Sequence, residues 1–414
     1  MNITIITPFL PYPLNSGGAQ GQYNVIDQLR SRHHISIIFP INGKNRKEAM
    51  EKLKALWPEV SFFPYSYYRQ LRHWPFLRDK MVRALKLKLI PHSERFKVER
   101  ALKPYGFYFS QDFVTFVNQI ARQQEAELIQ VDFYPYLHLI NYLHGDSKKV
   151  FIQHEIRYIR NERLLSTLTL TDKEIALCEQ TKQTEIDDMN KYDAVVTVTD
   201  IDKDLLKKDG VNTPIYTSPS AVNSPVRPYQ EWNGNLSFVG GYSHIPNQEG
   251  IEWFIKNVLP LLHTDAFNSF NIIGGGWSVS NYTTSPKLAF KGFVEDLADA
   301  VSGSIMVVPI LTGSGMRMKI LEAAALGSPI VTTSVGVEGI NLTNGDSCLI
   351  ADTPEEFAKA IIELINSEEL RTRLTKRAQS IYLENYSVKA LTDLRDNIYH
   401  QIEKKQIEHI YDYT

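Results

Sequence analysis

At 414 residues with 43% hydrophobic side chains, the chain has enough apolar material for two ordinary globular domains. Its formal net charge of −2 provides no overall positive field to hold nucleic acid, so no nucleic-acid partner is expected. The only cysteines, Cys178 and Cys348, lie far apart, which excludes a disulfide framework or a cysteine zinc site and fits a reducing, cytoplasmic setting.

The opening Met1-Asn-Ile-Thr-Ile-Ile-Thr-Pro8 lacks the charged region and cleavage site of a secretory signal and reads as a first buried strand. No apolar run approaches the ~18 residues that a membrane span needs. The strands predicted in the first half are this opening one, Ile3–Thr7, and Ile35–Phe39, Leu128–Val131, Val150–Gln153 and Ala194–Val198. A Pro-, Ser- and Asn-rich stretch without periodicity follows, read as a linker over 216–234. Beyond it come Leu236–Val239, Phe270–Ile273, Ile305–Val308, Ile330–Thr332 and Leu349–Ile350, with a weaker strand at Leu288–Lys291. These runs alternate with helical patterns, which predicts an α/β chain with parallel sheets and crossover helices. The end is helical: Thr353-Pro-Glu-Glu356 is a capping signal with proline at the first helical position, and Ser387 caps a last helix. The expected domains are 1–215, 235–386 and a terminal helix, 387–414, that packs back on the first domain.

The segment from Thr312 to Thr333 concentrates the chemistry. An apolar run, Ile305–Ile310, precedes a turn containing Gly313, Ser314 and Gly315. A helix is expected to start near Met316 and carry Arg317, Lys319 and Glu322. Glycines let backbone N–H groups approach a ligand, and a helix N-terminus favours an anion. Two cations and one carboxylate beside such a turn suit a phosphorylated, hydroxyl-bearing ligand. Gly17 and Gly18, after the first strand, are a second candidate turn for close backbone approach. Asp200-Ile-Asp202 has the spacing of a metal-binding pair but opens a helix, where aspartate is ordinary capping; with no other ligand cluster, a metal is not expected.

Four segments of the second half resemble the retaining, GT-B fold glycosyltransferases of the large bacterial family four. They are Phe238-Val-Gly-Gly-Tyr-Ser-His-Ile-Pro-Asn-Gln-Glu-Gly-Ile-Glu-Trp-Phe254, Asn271-Ile-Ile-Gly-Gly-Gly276, Thr312 to Thr333, and Val335-Gly-Val-Glu-Gly339 with Asn344-Gly-Asp-Ser-Cys-Leu-Ile350. In the first half, Pro11 to Gly18 is similar to the family's opening glycine loop and Ile152-Gln-His-Glu155 to the strand end with its active-site histidine. The resemblance implies two Rossmann-like domains facing across a cleft, the first for the acceptor and the second for a nucleotide sugar. It implies that Glu322 takes the ribose hydroxyls, that Gly240, Gly241, Gly313, Ser314, Gly315, Met316 and Glu338 line the donor site, and that His154 faces the transferred sugar.

Two places depart from the family. A first glutamate, which normally contacts the sugar, is replaced by Ser314, and the places of a usual Arg and Lys read as Gly241 and Gln248. Arg317 and Lys319 are therefore assigned to the leaving diphosphate. The implied activity is sugar transfer from a UDP- or GDP-linked donor to a glycan or lipid-linked acceptor in surface polysaccharide or lipopolysaccharide assembly, without a cofactor. A nucleotide-sugar epimerase, or a binder without activity, would use the same nucleotide site. Residues 65–105 interleave lysines and arginines with aromatic side chains. That segment suits either an anionic membrane surface or a solvated basic face.

Overall fold

The computed structural model describes residues 1–14, 17–41, 44–66, 109–166, 168–220, 222–262, 264–278, 285–313 and 316–411. Of the basic, aromatic segment 65–105, all but residues 65 and 66 lies outside that range, as do Ser314 and Gly315. The chain divides into two compact units. One comprises Met1–Leu14, Val25–Ser218 and Leu394–Thr414; the other comprises Asn15–Asn24 and Pro219–Asp393.

The first unit is built on seven parallel strands: β1 (Asn2–Ile6), β2 (His34–Pro40), β3 (Ser61–Tyr65), β4 (Leu128–Asp132), β5 (Lys148–Gln153), β6 (Ala194–Thr197) and β7 (Ile215–Thr217). Their order is β3-β2-β1-β4-β5-β6-β7. The central strands β4 and β6 are buried throughout, as parallel strands covered on both faces must be. The two edge strands escape sequence reading. β3 contains Pro64 and is exposed or half-buried at every residue but Tyr65, while β7 is three residues long and straddles the start of the stretch expected to be linker. An edge strand needs neither a continuous apolar run nor every backbone donor.

Helices flank this sheet. α1 spans Gly17–Leu29 and α2 Lys44–Leu56. α3 (Gln111–Gln123) starts where Ser110 accepts the Phe113 N–H at 3.2 Å, and it buries Phe113, Val114, Val117 and Ile120. α4 spans Arg157–Leu165. α5 (Asp172–Met189) opens on a reciprocal capping box between Thr171 and Glu174. α6 spans Asp200–Lys208; its cap is Thr199, whose hydroxyl accepts the Asp202 N–H at 3.0 Å and donates to the Asp202 carboxylate at 2.8 Å. Asp202 is thus engaged in a helix start.

The second unit has six parallel strands: β8 (Asn235–Val239), β9 (Ser269–Ile273), β10 (Leu288–Gly292), β11 (Ile305–Val308), β12 (Ile330–Thr332) and β13 (Leu349–Ile350). Their order, β10-β9-β8-β11-β12-β13, is the doubly wound Rossmann order, and the first sheet repeats it with one more strand. The helices are α7 (Ile245–Trp253), α8 (Leu297–Val301), α9 (Met318–Ala325), α10 (Ser334–Val337), α11 (Pro354–Asn366) and α12 (Glu368–Asn385). The last helix, α13 (Val388–Tyr411), runs from this unit into the terminal segment grouped with the first. The core of the second unit joins Phe238, Phe254, Phe270 and Phe357 to the apolar face of α9. Among the described residues no helix is long and apolar enough to cross a membrane.

Candidate donor site and the His154 strand end

In sheets of this order the strand sequence reverses direction between the first and fourth strands, and ligands bind beyond the carboxyl ends there. In the second unit that point lies between β8 and β11. β8 leads into Gly240 and Gly241, and β11 leads towards Gly313. A β-carbon on Gly240 would sit 2.6 Å from Asn247 Nδ2 and 2.9 Å from Lys319 Nζ. Gly274 (φ +145°) is equally constrained: a β-carbon there would lie 2.3 Å from the Gly240 carbonyl oxygen. That oxygen also accepts the Trp277 indole N–H at 2.7 Å.

α7 and α9 bring polar side chains to the Gly240 turn. Asn247 donates through Nδ2 to the Gly241 carbonyl at 2.8 Å, and its Oδ1 accepts from Lys319 Nζ at 2.6 Å. Lys319 Nζ also lies 4.3 Å over the Phe238 ring. Burial pushes the Lys319 ammonium down to about 7, Arg317 adds to the shift, and the Glu322 carboxylate opposes it. Gln248 closes the same turn by donating to the Tyr242 carbonyl at 2.5 Å. His244, which precedes α7, is exposed, and partial desolvation together with the nearby Lys319 and Arg317 charges lowers its titration from the ordinary imidazole range.

Arg317 differs from its sequence expectation. The helix begins at Met318, and Arg317 is the extended residue before it, 8% exposed. Its guanidinium turns back to donate to the Gly313 carbonyl at 3.1 Å and pairs with Glu338 at 3.6 Å. Gly313 has φ +106°, and a β-carbon there would lie 3.3 Å from Pro246 Cγ at the start of α7. Met316 packs against the core from the same loop. Glu322 is 8% exposed; burial raises its carboxyl, while Lys319 and a hydrogen bond from Gln20 hold it down. Gln20 lies in the first turns of α1, which belong to this unit. Gly17 and Gly18 are the first residues of that helix rather than a turn preceding it.

One unit therefore brings together Gly240, Gly241, Gly313, Met316, Arg317, Lys319, Glu322 and Glu338. Sequence reasoning missed the polar side chains that hold them, Asn247 and Gln20. Asn247 stood inside a recognised motif, but nothing local indicated its partner.

His154 belongs to the first unit and follows β5 directly. Its Nε2 lies 3.0 Å from Asp132 Oδ1, at the end of β4. Its ring stacks on Phe133, with centroids 4.0 Å apart and planes at 14°. Phe133 has φ 67°, a left-handed backbone that a phenylalanine adopts only at a cost of about 1–3 kcal/mol. Behind this strand end, Glu185 of α5 is fully buried. It accepts the backbone N–H groups of Arg157 and Tyr158, each at 3.2 Å. Burial pushes its carboxyl up to about 7. The Arg157 and Arg160 guanidiniums both lie over the Tyr134 ring, at 5.5 and 5.0 Å, and Arg160 pairs with Glu155 at 2.9 Å. Among the described residues no three His, Cys, Asp or Glu side chains group as metal ligands.

The family model "Glycosyl transferases group 1" matches residues 233–367. The chain is 29% identical over 175 residues to a 44.6 kDa protein in the cps region of Klebsiella pneumoniae, covering 38% of this chain and 44% of that one. It is 28% identical over 111 residues to LpsE of Rhizobium meliloti, a lipopolysaccharide core biosynthesis glycosyltransferase, covering 26% and 33%. The chain thus spans less than half the length of these curated relatives. A crystal structure of a Staphylococcus aureus TarM variant superposes with a TM-score of 0.68 over 96% of this chain and 100% of that one, at 11% identity, which shows the fold. Residues 233–367 are thus similar to group 1 glycosyl transferases, on a chain with the GT-B fold.

Proposed function

We propose that the chain is a retaining glycosyltransferase that moves a hexosyl group from a nucleoside-diphosphate sugar to a glycan or lipid-linked acceptor in cell-surface polysaccharide or lipopolysaccharide biosynthesis. The observation that carries this reading is the group formed by buried Arg317 and Glu322 with half-buried Lys319 at the switch point of the second sheet. A departing nucleoside diphosphate gains negative charge, and preorganised cations in a water-poor site stabilise that charge. Arg317 and Lys319 supply it, with Asn247 fixing the lysine against the Gly240 turn. Glu322 is a bidentate acceptor for a vicinal diol such as ribose, with Gln20 as its partner in the unliganded protein. His154 faces the transferred sugar in this reading, and the leaving phosphate accepts the acceptor proton. Buried Arg317 and half-buried Lys319 provide the charge that a divalent ion supplies elsewhere, so turnover is expected to persist in EDTA; a strict Mg²⁺ or Mn²⁺ requirement would refute that part.

The TarM variant is in complex with UDP, which puts UDP first among the donors to test. The cps-region and lipopolysaccharide-core relatives support the pathway class. A cytoplasmic enzyme docking on an anionic membrane through residues 65–105 completes the reading; co-sedimentation with phosphatidylglycerol vesicles tests it.

Thermal unfolding with UDP, GDP, ADP and their sugars, on wild type and Glu322→Ala, is the decisive experiment. A ligand that binds only the native state raises the midpoint. A shift for one nucleotide, abolished in Glu322→Ala, supports the donor site and identifies the base. No shift with any nucleotide in folded protein refutes it. The anomeric configuration of the product, read by NMR, then tests retention.

A further inference from the structure

The first unit contains a buried run of hydrogen bonds that ends on His154 and starts in the last helix. Gln130 and Asp132 are two residues apart on β4, so their side chains share one face of the sheet. Gln130 Nε2 donates to Asp132 Oδ2 at 2.8 Å. Gln130 Oε1 accepts the phenolic O–H of Tyr399, from α13. Asp132 Oδ1 faces His154 Nε2 at 3.0 Å. Tyr399 and Asp132 are each 1% exposed and Gln130 is 2% exposed.

We propose that Tyr399 is a positioning residue: acting through Gln130 and Asp132, it fixes the tautomer and orientation of the His154 imidazole. A primary amide donates at one end and accepts at the other: the acceptor-only Asp132 carboxylate takes the Gln130 N–H, and the Tyr399 O–H satisfies Oε1 at the other end, so the buried amide is held at both ends. Without Tyr399 the buried Oε1 loses its donor, Gln130 shifts to regain one, and Asp132 loses its fixed partner. Held by Gln130, Asp132 keeps its other oxygen for His154. A carboxylate accepts only, so the neutral imidazole carries its proton on Nε2 and leaves Nδ1 as the acceptor. Phe133 fixes the ring plane by stacking, and Phe9 backs Phe133 with centroids 4.5 Å apart. Tyr399 and Gln130 are 269 residues apart in sequence, so only a docked α13 completes the run.

The effect on turnover rests on the glycosyltransferase reading; the effect on the imidazole does not. The test uses full-length protein with ¹⁵N-labelled histidine, in which His154→Gln identifies one signal set among the 11 histidines. In wild type the neutral His154 ring is expected to show a protonated Nε2 and a bare Nδ1. Tyr399→Phe removes one oxygen from a buried ring, and Gln130→Met removes both links. Both variants are expected to move the His154 ring nitrogens toward a mixture of tautomers and to lower kcat at least fivefold, with donor KM unchanged. His154 nitrogen shifts identical to wild type in folded Tyr399→Phe and Gln130→Met overturn the proposal. If wild type transfers sugar from no donor yet the shifts move, the positioning role stands and the glycosyltransferase reading falls.

Discussion

Lys319 Nζ lies 2.6 Å from Asn247 Oδ1, across 72 residues of sequence, and the same amide donates to the Gly241 carbonyl at 2.8 Å. One side chain therefore ties a half-buried cation on α9 to the glycine turn after β8. Asn247→Ala is expected to weaken binding of the cognate nucleoside diphosphate about tenfold, or roughly 1.4 kcal/mol. Isothermal titration would measure it; unchanged affinity would separate Lys319 from diphosphate binding.

Lys319 also gives a pH signature. Its folded value of about 7 lies below the unfolded value near 10.4. Between those values the unfolded chain binds more protons, so this group makes stability rise with pH. Lys319→Met removes that contribution. The stability of wild type minus that of Lys319→Met is expected to increase from pH 7 to pH 10, as read from urea midpoints. A flat difference would mean that the ammonium is not depressed by burial.

Glu185 acts with the opposite sign. Its folded value of about 7 exceeds the unfolded value near 4.3, so the native state holds the extra proton and stability falls as pH rises through that window. Glu185→Gln carries no titrating group. It is expected to gain on wild type between pH 5 and pH 8 by on the order of 2 kcal/mol. Parallel stability curves for the two proteins would contradict a protonated Glu185.

Gly274→Ala places a methyl group 2.3 Å from the Gly240 carbonyl oxygen, where backbone rather than a flexible side chain must move. The expected result is a loss of about 2 kcal/mol in stability together with loss of the nucleotide-induced thermal shift. A stable variant with an intact shift would show that the Gly240 turn is not part of the donor site.

The repeated α/β pattern could be read directly because a central parallel strand is apolar on both faces. Leu128–Val131 and Ile305–Val308 announce themselves in any register. β3 and β7 did not, since an edge strand faces solvent and tolerates Pro64 or a length of three residues. The start of α9 was misplaced by two residues because Arg317 has an extended backbone set by its contacts with Gly313 and Glu338.

The same division runs through the candidate sites. Glycine turns, the cations Arg317 and Lys319, and the carboxylate Glu322 lie within one short segment, so sequence alone named them as a group. Their partners did not follow. Asn247 reaches Lys319, Gln20 reaches Glu322 and Asp132 reaches His154 only because parallel strands place the ends of distant segments side by side. Residue type and spacing along the chain determined which side chains carry charge and where the backbone turns. Burial, which depresses Lys319 and raises Glu185, and the pairing of Tyr399 with Gln130 were decided by tertiary structure, because dielectric environment and long-range hydrogen bonds exist only once the chain has packed.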